Sequence, residues 1–308
     1  MLAEAGDVWL WPEDSAIPRD RLIDEIANAQ GLYAMLTDAI DAELFDAAPQ
    51  LRAMATMAVG TDNIDLDAAT ARGIPVGNTP DVLTETTADT AFGLLIASAR
   101  RFREGIDYVR AGQWVRWEPD LLLGQDVHST TLGIIGMGRI GAAIARRGHG
   151  FGMRILYATR TRKPEIESEV GAEWVTEDEL LAQSDHVVVA TPLTDETYHL
   201  IDGVALGKMK PTSTLVNIAR GGTVDPDALY EALVAGVIAA AGLDVTEPEP
   251  IPGDHPLLTL SNCTILPHLG SSSQQTREAM AELAAQNLVE GLAGRAMPAC
   301  ANAEVYAE

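Results

Sequence analysis

Residues 131–141 read TLGIIGMGRIG, an apolar run that passes directly into the glycine spacing G-x-G-x-x-G. In a strand–turn–helix context, the first glycine permits a tight turn and the second lets the backbone approach a pyrophosphate, while the third allows the helix to pack closely on the strand. The helix N-terminus then offers amide N–H groups and a partial positive charge to phosphates. The pattern therefore predicts a dinucleotide site at Gly136, Gly138 and Gly141.

Short apolar runs alternate with helical patterns on both sides of this turn, which is typical of an α/β fold with parallel sheets. We predict a Rossmann-type doubly wound sheet over 81–274, with a long helix from about Thr86 to Arg103. A smaller α/β domain is expected to comprise 1–80 and 275–308, ending in a helix from about Gln274 to Leu292. The predicted strands are VWLW (8–11), LYAML (32–36), LRAMATMAV (51–59), IPVGN (74–78), LGIIG (132–136), MRILYAT (153–159), HVVVAT (186–191), STLVNIA (213–219), AAAGLDV (239–245) and NCTILPH (262–268).

The charge balance restricts the possible partners. The chain has 45 acidic and 21 basic residues, a formal net charge of -24. Such a chain repels nucleic acid and anionic lipid, and no apolar run approaches the ~20 residues of a membrane span. Cys263 and Cys300 are too few for a disulfide framework and lack metal-site spacing. We therefore expect a cytoplasmic protein without a metal, and the acidic surface raises the possibility of a high-salt host.

The residues after the second Rossmann strand bear on the choice of dinucleotide. An NAD site usually has an acidic residue ~20 positions after the glycines, where it binds the ribose 2′-OH. Here the strand is followed by Thr159 and then by Arg160, Arg162 and Lys163. Because guanidinium groups suit a 2′-phosphate, the sequence favours NADPH, with NADH possible. A solvated basic loop is the alternative.

Three side chains follow later strands, at the sheet edge where open α/β folds bind ligands. They are Arg220 in NIARGG, Glu249 in GLDVTEPEP and His268 in ILPHLGSSS. Reducing a ketone with a hydride requires a proton donor that works near neutral pH, which histidine supplies. A carboxylate can orient the imidazole, and a guanidinium can bind a substrate carboxylate. This combination predicts reduction of a 2-keto acid to a 2-hydroxy acid.

The motifs GMGRIG, NIARGG, GLDVTEPEP and LPHLGSS resemble the D-isomer-specific 2-hydroxyacid dehydrogenase family. Within it, AVGTDNID and TPDVLTETTAD are similar to the glyoxylate/hydroxypyruvate reductase branch. The resemblance implies a Rossmann domain inserted into a flavodoxin-like domain, NADPH-dependent reduction of glyoxylate or hydroxypyruvate, and a homodimer. It also implies that Arg220 binds substrate and that His268 is the acid–base group with Glu249 as its partner. Further residues implied to bind substrate are Leu36, Val59 and Gly60, and those implied to bind cofactor are Arg139, Ile140, Thr161, Thr191, Pro192, Ile218, Asp244 and Gly270, beside the glycines and the basic loop.

Two departures from the family pattern affect these expectations. Family members usually have an additional strand and helix before the segment matching AEAGDVWLW, so we expect the smaller sheet to lack an interior strand. The branch also places an aromatic residue over the substrate where this chain has Leu121, which leaves its substrate preference open. A dehydrogenase for other 2-keto acids is therefore one alternative. A dinucleotide-binding corepressor or an inactive scaffold is another.

Overall fold

The computed structural model describes residues 1–307 and divides into two compact units. Unit 1 comprises Met1–Leu83 and Ser273–Glu308, and unit 2 comprises Thr84–Ser272. Both contain parallel sheets covered by helices, so the predicted α/β class with a Rossmann-type sheet is confirmed.

Unit 1 is built on a three-stranded parallel sheet, in which β1 (Gly31–Ala34), β2 (Ala53–Thr56) and β3 (Val76–Gly77) lie in that order. Its central strand is buried along its whole length, and the final helix packs on that strand. Several helices begin at a residue whose side chain accepts a backbone N–H, such as Asp41 and Ser273, which supplies a partner to an otherwise free donor. The elements are α1 (Leu2–Ala5), α2 (Arg19–Ile26), β1 (Gly31–Ala34), α3 (Ala42–Ala47), β2 (Ala53–Thr56), α4 (Leu66–Ala71), β3 (Val76–Gly77) and α12 (Gln274–Leu292).

The predicted strand at VWLW is wrong. Residues 8–11 form no strand and pair with no other strand, and Val8, Trp9 and Leu10 are exposed. The apolar composition suggested a strand, but a segment forms a strand only when a neighbouring strand pairs with its backbone N–H and C=O groups. In unit 1, residues 31–34 pair with β2 and not with this segment.

Unit 2 is built on a seven-stranded parallel sheet, whose strands are β4 (Thr131–Ile135), β5 (Arg154–Ala158), β6 (Glu173–Trp174), β7 (His186–Val189), β8 (Thr214–Asn217), β9 (Ala240–Leu243) and β10 (Cys263–Ile265). They lie in the order β10-β9-β8-β7-β4-β5-β6. Strands β4 and β7 are neighbours and begin the two halves of the sheet, so the order reverses between them. Clefts that bind ligands form at such a reversal. The elements are α5 (Thr84–Ala99), α6 (Phe102–Arg110), β4 (Thr131–Ile135), α7 (Arg139–Gly150), β5 (Arg154–Ala158), α8 (Pro164–Val170), β6 (Glu173–Trp174), α9 (Glu177–Gln183), β7 (His186–Val189), α10 (Gly203–Lys208), β8 (Thr214–Asn217), α11 (Pro226–Ala235), β9 (Ala240–Leu243) and β10 (Cys263–Ile265).

The inner strands β7, β8 and β9 are buried along their whole length, because helices cover both faces of the sheet. The helix predicted to run to Arg103 ends instead at Ala99. Arg101 then adopts a left-handed backbone with φ 54°, and α6 begins at Phe102.

Candidate active site

The glycine turn between β4 and α7 has the geometry that its spacing predicts. Gly136 has φ 97°, and a Cβ there would lie 2.6 Å from the carbonyl oxygen of Ala190. A Cβ on Gly141 would lie 2.2 Å from the carbonyl oxygen of Gly136. Gly138 differs, because a Cβ there would meet only open space. Two glycines are therefore required by the fold, whereas Gly138 faces a space that a ligand can enter.

Gly138 also begins α7 without any side-chain cap. The turn opens into a cleft of about 840 Å³, within the size range of small-molecule and cofactor sites. The residues that line this cleft are Ile135, Gly136, Met137, Gly138, Ala158, Thr159, Arg160, Lys163, Trp174, Val175, Thr176, Glu177, Glu179, Ala190, Thr191, Pro192, Thr194, Glu196, Thr197 and Leu200.

The basic loop after β5 divides into two parts. Arg160 and Lys163 line the cleft, whereas Arg162 does not. The Arg162 guanidinium donates to the Glu167 carboxylate at 2.8 Å, and the same carboxylate accepts from the Tyr157 hydroxyl at 2.6 Å. These two hydrogen bonds hold the pKa of Glu167 below its ordinary value. The positive charge on the cleft wall therefore comes from Arg160 and Lys163.

Three carboxylates that were not predicted from the sequence also line the cleft wall: Glu177, Glu179 and Glu196. Glu179 belongs to a capping box with Thr176, which is visible in the sequence as T-x-x-E. Burial raises the pKa of the Glu177 carboxyl. A hydrogen bond from the Thr194 hydroxyl lowers the pKa of Glu196, and the charge of Arg160 lowers it further. The available signal for Glu177 and Glu179 was the acidic run at 177–179, which begins three residues after β6. Strand β6 has only two residues and is too short to recognise from its pattern.

The three predicted reacting groups follow three neighbouring strands of unit 2: Arg220 follows β8, Glu249 follows β9 and His268 follows β10. Nδ1 of His268 lies 2.6 Å from Oε1 of Glu249. Burial alone would raise the pKa of the Glu249 carboxyl. The hydrogen bond and the charge of His268 outweigh burial and hold this pKa below its ordinary value, and the charge of Arg220 lowers it further. The imidazole and carboxylate therefore form a direct pair within the electrostatic reach of the guanidinium.

Asp244, which is only 2% exposed, holds the backbone around His268 through hydrogen bonds. Its two carboxylate oxygens accept the backbone N–H groups of Leu269 at 2.7 Å and Gly270 at 2.8 Å. Its own carbonyl oxygen accepts the N–H of His268 at 2.9 Å. His268 has φ 54°, a left-handed conformation that persists only when the surroundings enforce it. Asp244 thus fixes the backbone that carries the imidazole.

The remaining predicted residues lie in several places. Thr191 and Pro192 line the cleft, and Ile218 follows β8 as a buried residue of the unit 2 core. Leu36 follows β1 and Val59 follows β2, both within unit 1, where the Val59 carbonyl accepts from the Asn78 side chain at 2.9 Å. The other predicted residues are Arg139 and Ile140, which begin α7, Thr161 in the basic loop, and Gly60 in unit 1.

Residues 1–307 contain neither a helix suited to span a membrane nor a cluster suited to a metal ion. No helix among them combines the length and the apolar character that crossing a membrane requires. Nor do three or more His, Cys, Asp or Glu side chains gather there in a group suited to a metal ion.

The residues present fit a dinucleotide. The open space at Gly138, the uncapped start of α7 and the cleft at the reversal of strand order provide a phosphate-binding turn with room beside it. Beyond it, a histidine–carboxylate pair and an arginine follow neighbouring strands of the same sheet. Fold and site together define a dinucleotide-binding α/β oxidoreductase.

Comparison with known proteins gives the family. The chain belongs to the D-isomer specific 2-hydroxyacid dehydrogenases, whose NAD binding domain matches residues 92–270. It is 52% identical to the glyoxylate reductase of Thermococcus onnurineus, over 99% of this chain and 92% of that protein. It is 50% identical to the human glyoxylate reductase/hydroxypyruvate reductase, over 96% of this chain and 92% of that protein. These relatives confirm the predicted family and branch.

A solved structure agrees with this assignment. It is the NADPH-dependent glyoxylate/hydroxypyruvate reductase of Sinorhizobium meliloti in complex with NADP and malonate, which superposes with a TM-score of 0.83. The two sequences are 37% identical, and the match covers 91% of this chain and 86% of that chain. The protein is thus an NAD(P)-dependent oxidoreductase of the 2-hydroxyacid dehydrogenase family.

Proposed function

We propose that the protein reduces glyoxylate and hydroxypyruvate to their 2-hydroxy acids with NADPH, and that His268 donates the proton. The observation that carries the proposal is the 2.6 Å pair between His268 and Glu249, with Arg220 following the adjacent strand. The names of the Thermococcus, human and Sinorhizobium proteins support the substrate class. An alternative within the same family is a dehydrogenase for other 2-keto acids, because the branch's aromatic position is Leu121 here.

The chain's own residues would divide the reaction into binding and proton transfer. The Arg220 guanidinium would bind the substrate carboxylate through charge-assisted hydrogen bonds. Bound NADPH would supply the hydride that reduces the carbonyl carbon. As negative charge develops on the carbonyl oxygen, Nε2 of His268 would donate its proton to it. Leu36, Val59 and Gly60 stay predicted substrate-binding residues on the basis of the family resemblance.

Glu249 would act through His268. Because its carboxylate accepts from Nδ1, the other ring nitrogen is left to face the substrate. The negative charge of Glu249 also favours the protonated imidazole, which is the form that can donate. After the proton leaves, the ring is neutral and regains a proton from water before the next turnover.

The first prediction tests His268. Replacing it by alanine should lower kcat for glyoxylate reduction by about 10²–10⁴-fold, because a positioned general acid contributes about that much. The measurement is NADPH oxidation with glyoxylate, hydroxypyruvate and pyruvate as alternative substrates. His128→Ala is the matched control, since the His128 side chain is 69% exposed and lies outside the site. Equal activity of His268→Ala and wild type would remove His268 as the acid, and a wild-type preference for pyruvate would favour the alternative.

The NADPH preference rests on the residues directly after β5. Thr159 and Arg160 stand where an NAD site has its acidic residue, and both line the cleft with Lys163. Glu177 and Glu196 also line the cleft, but they come from other segments than the turn after β5, where the 2′ position is bound in this fold.

The second prediction uses the difference between the two arginines of the loop. Arg160→Ala should raise KM for NADPH about tenfold or more and leave KM for NADH nearly unchanged, because a hydrogen bond to a charged group contributes about 1.5–3 kcal/mol. Arg162→Ala is the matched control, since that guanidinium is paired with Glu167. Equal effects of the two substitutions, or a wild-type preference for NADH, would contradict the assignment.

A homodimer is also proposed. Helix α6 exposes Phe102, Ile106 and Val109, which are spaced along one helical face, and the segment after it exposes Trp114 and Trp117. Exposed apolar surface of this kind marks protein–protein interaction sites. Sedimentation velocity at micromolar concentration tests the proposal, and a monomer there would contradict it.

A further inference from the structure

His199 lies between two carboxylates that come from two different loops of unit 2. Its Nε2 is 2.8 Å from Oε2 of Glu247, and its Nδ1 is 3.9 Å from Oδ2 of Asp225. The ring stacks on Tyr198 with 4.0 Å between the centroids. The backbone N–H of His199 donates to the carbonyl of Gly222 at 2.7 Å. The imidazole thus contacts the segment after β8 and the segment after β9 at the same time.

Each of these segments carries a group of the proposed site. Asp225 caps α11 at the end of the segment that begins with Arg220. Glu247 lies two residues before Glu249, in a segment tied to itself by two further hydrogen bonds. Both hydrogen bonds start from Thr246, which donates its backbone N–H to the Glu249 carboxylate and its hydroxyl to the Pro248 carbonyl. Glu247 lies inside the turn that these bonds close, so its position is coupled to that of the carboxylate that contacts His268.

The two segments also contact each other through their backbones. A Cβ on Gly221 would lie 1.9 Å from the carbonyl oxygen of Thr246, so no side chain fits between them. The cavity beneath them is about 10 Å³, which is room for one water at most. Little free space is left to absorb a change at the His199–Glu247 contact.

The backbone of His199 shows that this arrangement is enforced. Its φ is 49°, in the left-handed region. A non-glycine residue in that region costs about 1–3 kcal/mol and persists when its surroundings over-determine it, often near functional sites. An isolated surface ion pair contributes at most about 1 kcal/mol and would not by itself require such a backbone.

We propose that His199, through Glu247 and Asp225, is a positioning residue that sets the Glu249 carboxylate against Nδ1 of His268. This inference rests on the proposed function, because it acts through the general acid. It adds a second imidazole and two carboxylates to the groups on which proton transfer depends, although none of the three contacts the reacting atoms.

The test uses two substitutions and one control. His199→Asn removes the imidazole but keeps a residue type that tolerates the left-handed region, so backbone strain is not the variable. Glu247→Gln keeps the shape of the side chain and removes its charge. Glu169→Gln is the matched control, since it neutralises a carboxylate that pairs with Arg146 at 2.6 Å elsewhere in unit 2.

We expect His199→Asn and Glu247→Gln each to lower kcat for glyoxylate about tenfold with KM nearly unchanged, which is less than the ~10²-fold cost of misplacing a reacting group by 1 Å. In a Glu249→Gln background the same two substitutions should have less than about a twofold effect, because the group through which they act has already been altered. The control should equal wild type, and all variants should melt cooperatively.

The pH profile supplies a readout that a purely structural role would not move. Glu249 faces His268 and Arg220, whose charges help to hold its pKa low. If its carboxylate is less closely held, that pKa rises toward the ordinary value. The acidic limb of kcat/KM should then move to higher pH in both variants but not in Glu169→Gln.

The outcomes separate this inference from the proposed function. An inactive wild type would overturn the proposed function. An active wild type with kcat and pH profile unchanged in both variants would overturn only the role of His199. Equal losses with and without the Glu249→Gln substitution would also overturn it, because the effect would then not pass through Glu249.

Discussion

At the scale of single residues, the site depends on a few buried or half-buried polar groups whose partners are fixed. The Glu249 carboxylate is held by His268, and the Asp244 carboxylate by two backbone N–H groups. A charged acceptor that is satisfied in this way stabilises the loop it binds. The direction of the imidazole is therefore a property of the folded apoprotein.

The pH dependence of stability follows from the lowered pKa of Glu249. A carboxyl whose pKa is lower in the folded state contributes stability above its unfolded value, and this contribution is lost as the pH falls through the folded value. We predict that Glu249→Gln melts below wild type at pH 7, and that the difference shrinks below about pH 4.5 as the carboxyl becomes protonated. Thermal melts between pH 3 and 8 measure this. A constant difference over that range would contradict the assigned pairing.

There is a physical reason why some residues of the candidate site could be predicted from the sequence and others could not. Arg220, Glu249 and His268 each follow an apolar strand, and the carboxyl ends of parallel strands share one edge. The contact between His199 and Glu247 spans 48 positions and joins two irregular loops, so no periodic pattern reports it. The pairing of Arg162 with Glu167 could not be predicted either, because a basic run does not show which of its cations lines the cleft.

At the scale of elements, the turn between β4 and α7 contains one glycine that the fold requires and another that only ligand binding would require. Gly136 lies in the positive-φ region with Ala190 against it, whereas Gly138 has φ −79° and open space. The sequence G-x-G-x-x-G gives all its glycines the same letter. The motif predicts a different role for each glycine, and the coordinates show what a Cβ would meet at each one.

We predict opposite outcomes for two alanine substitutions in this turn. Gly136→Ala should lower the free energy of unfolding by at least about 1–3 kcal/mol, through a strained backbone and the contact with Ala190. Gly138→Ala should leave that free energy within about 0.5 kcal/mol and weaken NADPH binding at least tenfold. Urea unfolding and fluorescence titration measure the two quantities. Unchanged dinucleotide affinity in Gly138→Ala would show that the ligand lies elsewhere.

The elements themselves were predictable where both faces are covered. The strands at 186–189 and 214–217 are buried along their whole length and have apolar centres, as a parallel sheet between helices requires. The prediction failed at residues 8–11, which are also apolar but have no pairing partner. An apolar composition allows a segment to form a strand, but the strand forms only when a neighbouring strand pairs with it.

At the scale of the whole molecule, the dominant feature is an excess of negative charge, with 45 acidic residues against 21 basic ones. Many arginines are already paired on the surface, as Arg146 is with Glu169 and Arg154 with Glu173. The excess carboxylates repel one another, and this repulsion destabilises the compact state.

We predict that salt stabilises the protein. Surface ion pairs contribute little, so screening them costs little, whereas screening the net repulsion is favourable. Between 0.05 and 2 M KCl the melting temperature should rise by about 2–4 °C for each kcal/mol of repulsion removed. Sorbitol of equal osmolality is the control. A melting temperature that falls or does not change with KCl would contradict adaptation to a high-salt host.

The close approach at Gly221 has a consequence for how this enzyme can diversify. Because the Thr246 carbonyl occupies the place of any side chain, the position after Arg220 can hold only glycine. A larger residue here would force apart the segments that follow β8 and β9, so natural or laboratory selection for new substrates would have to act at other positions.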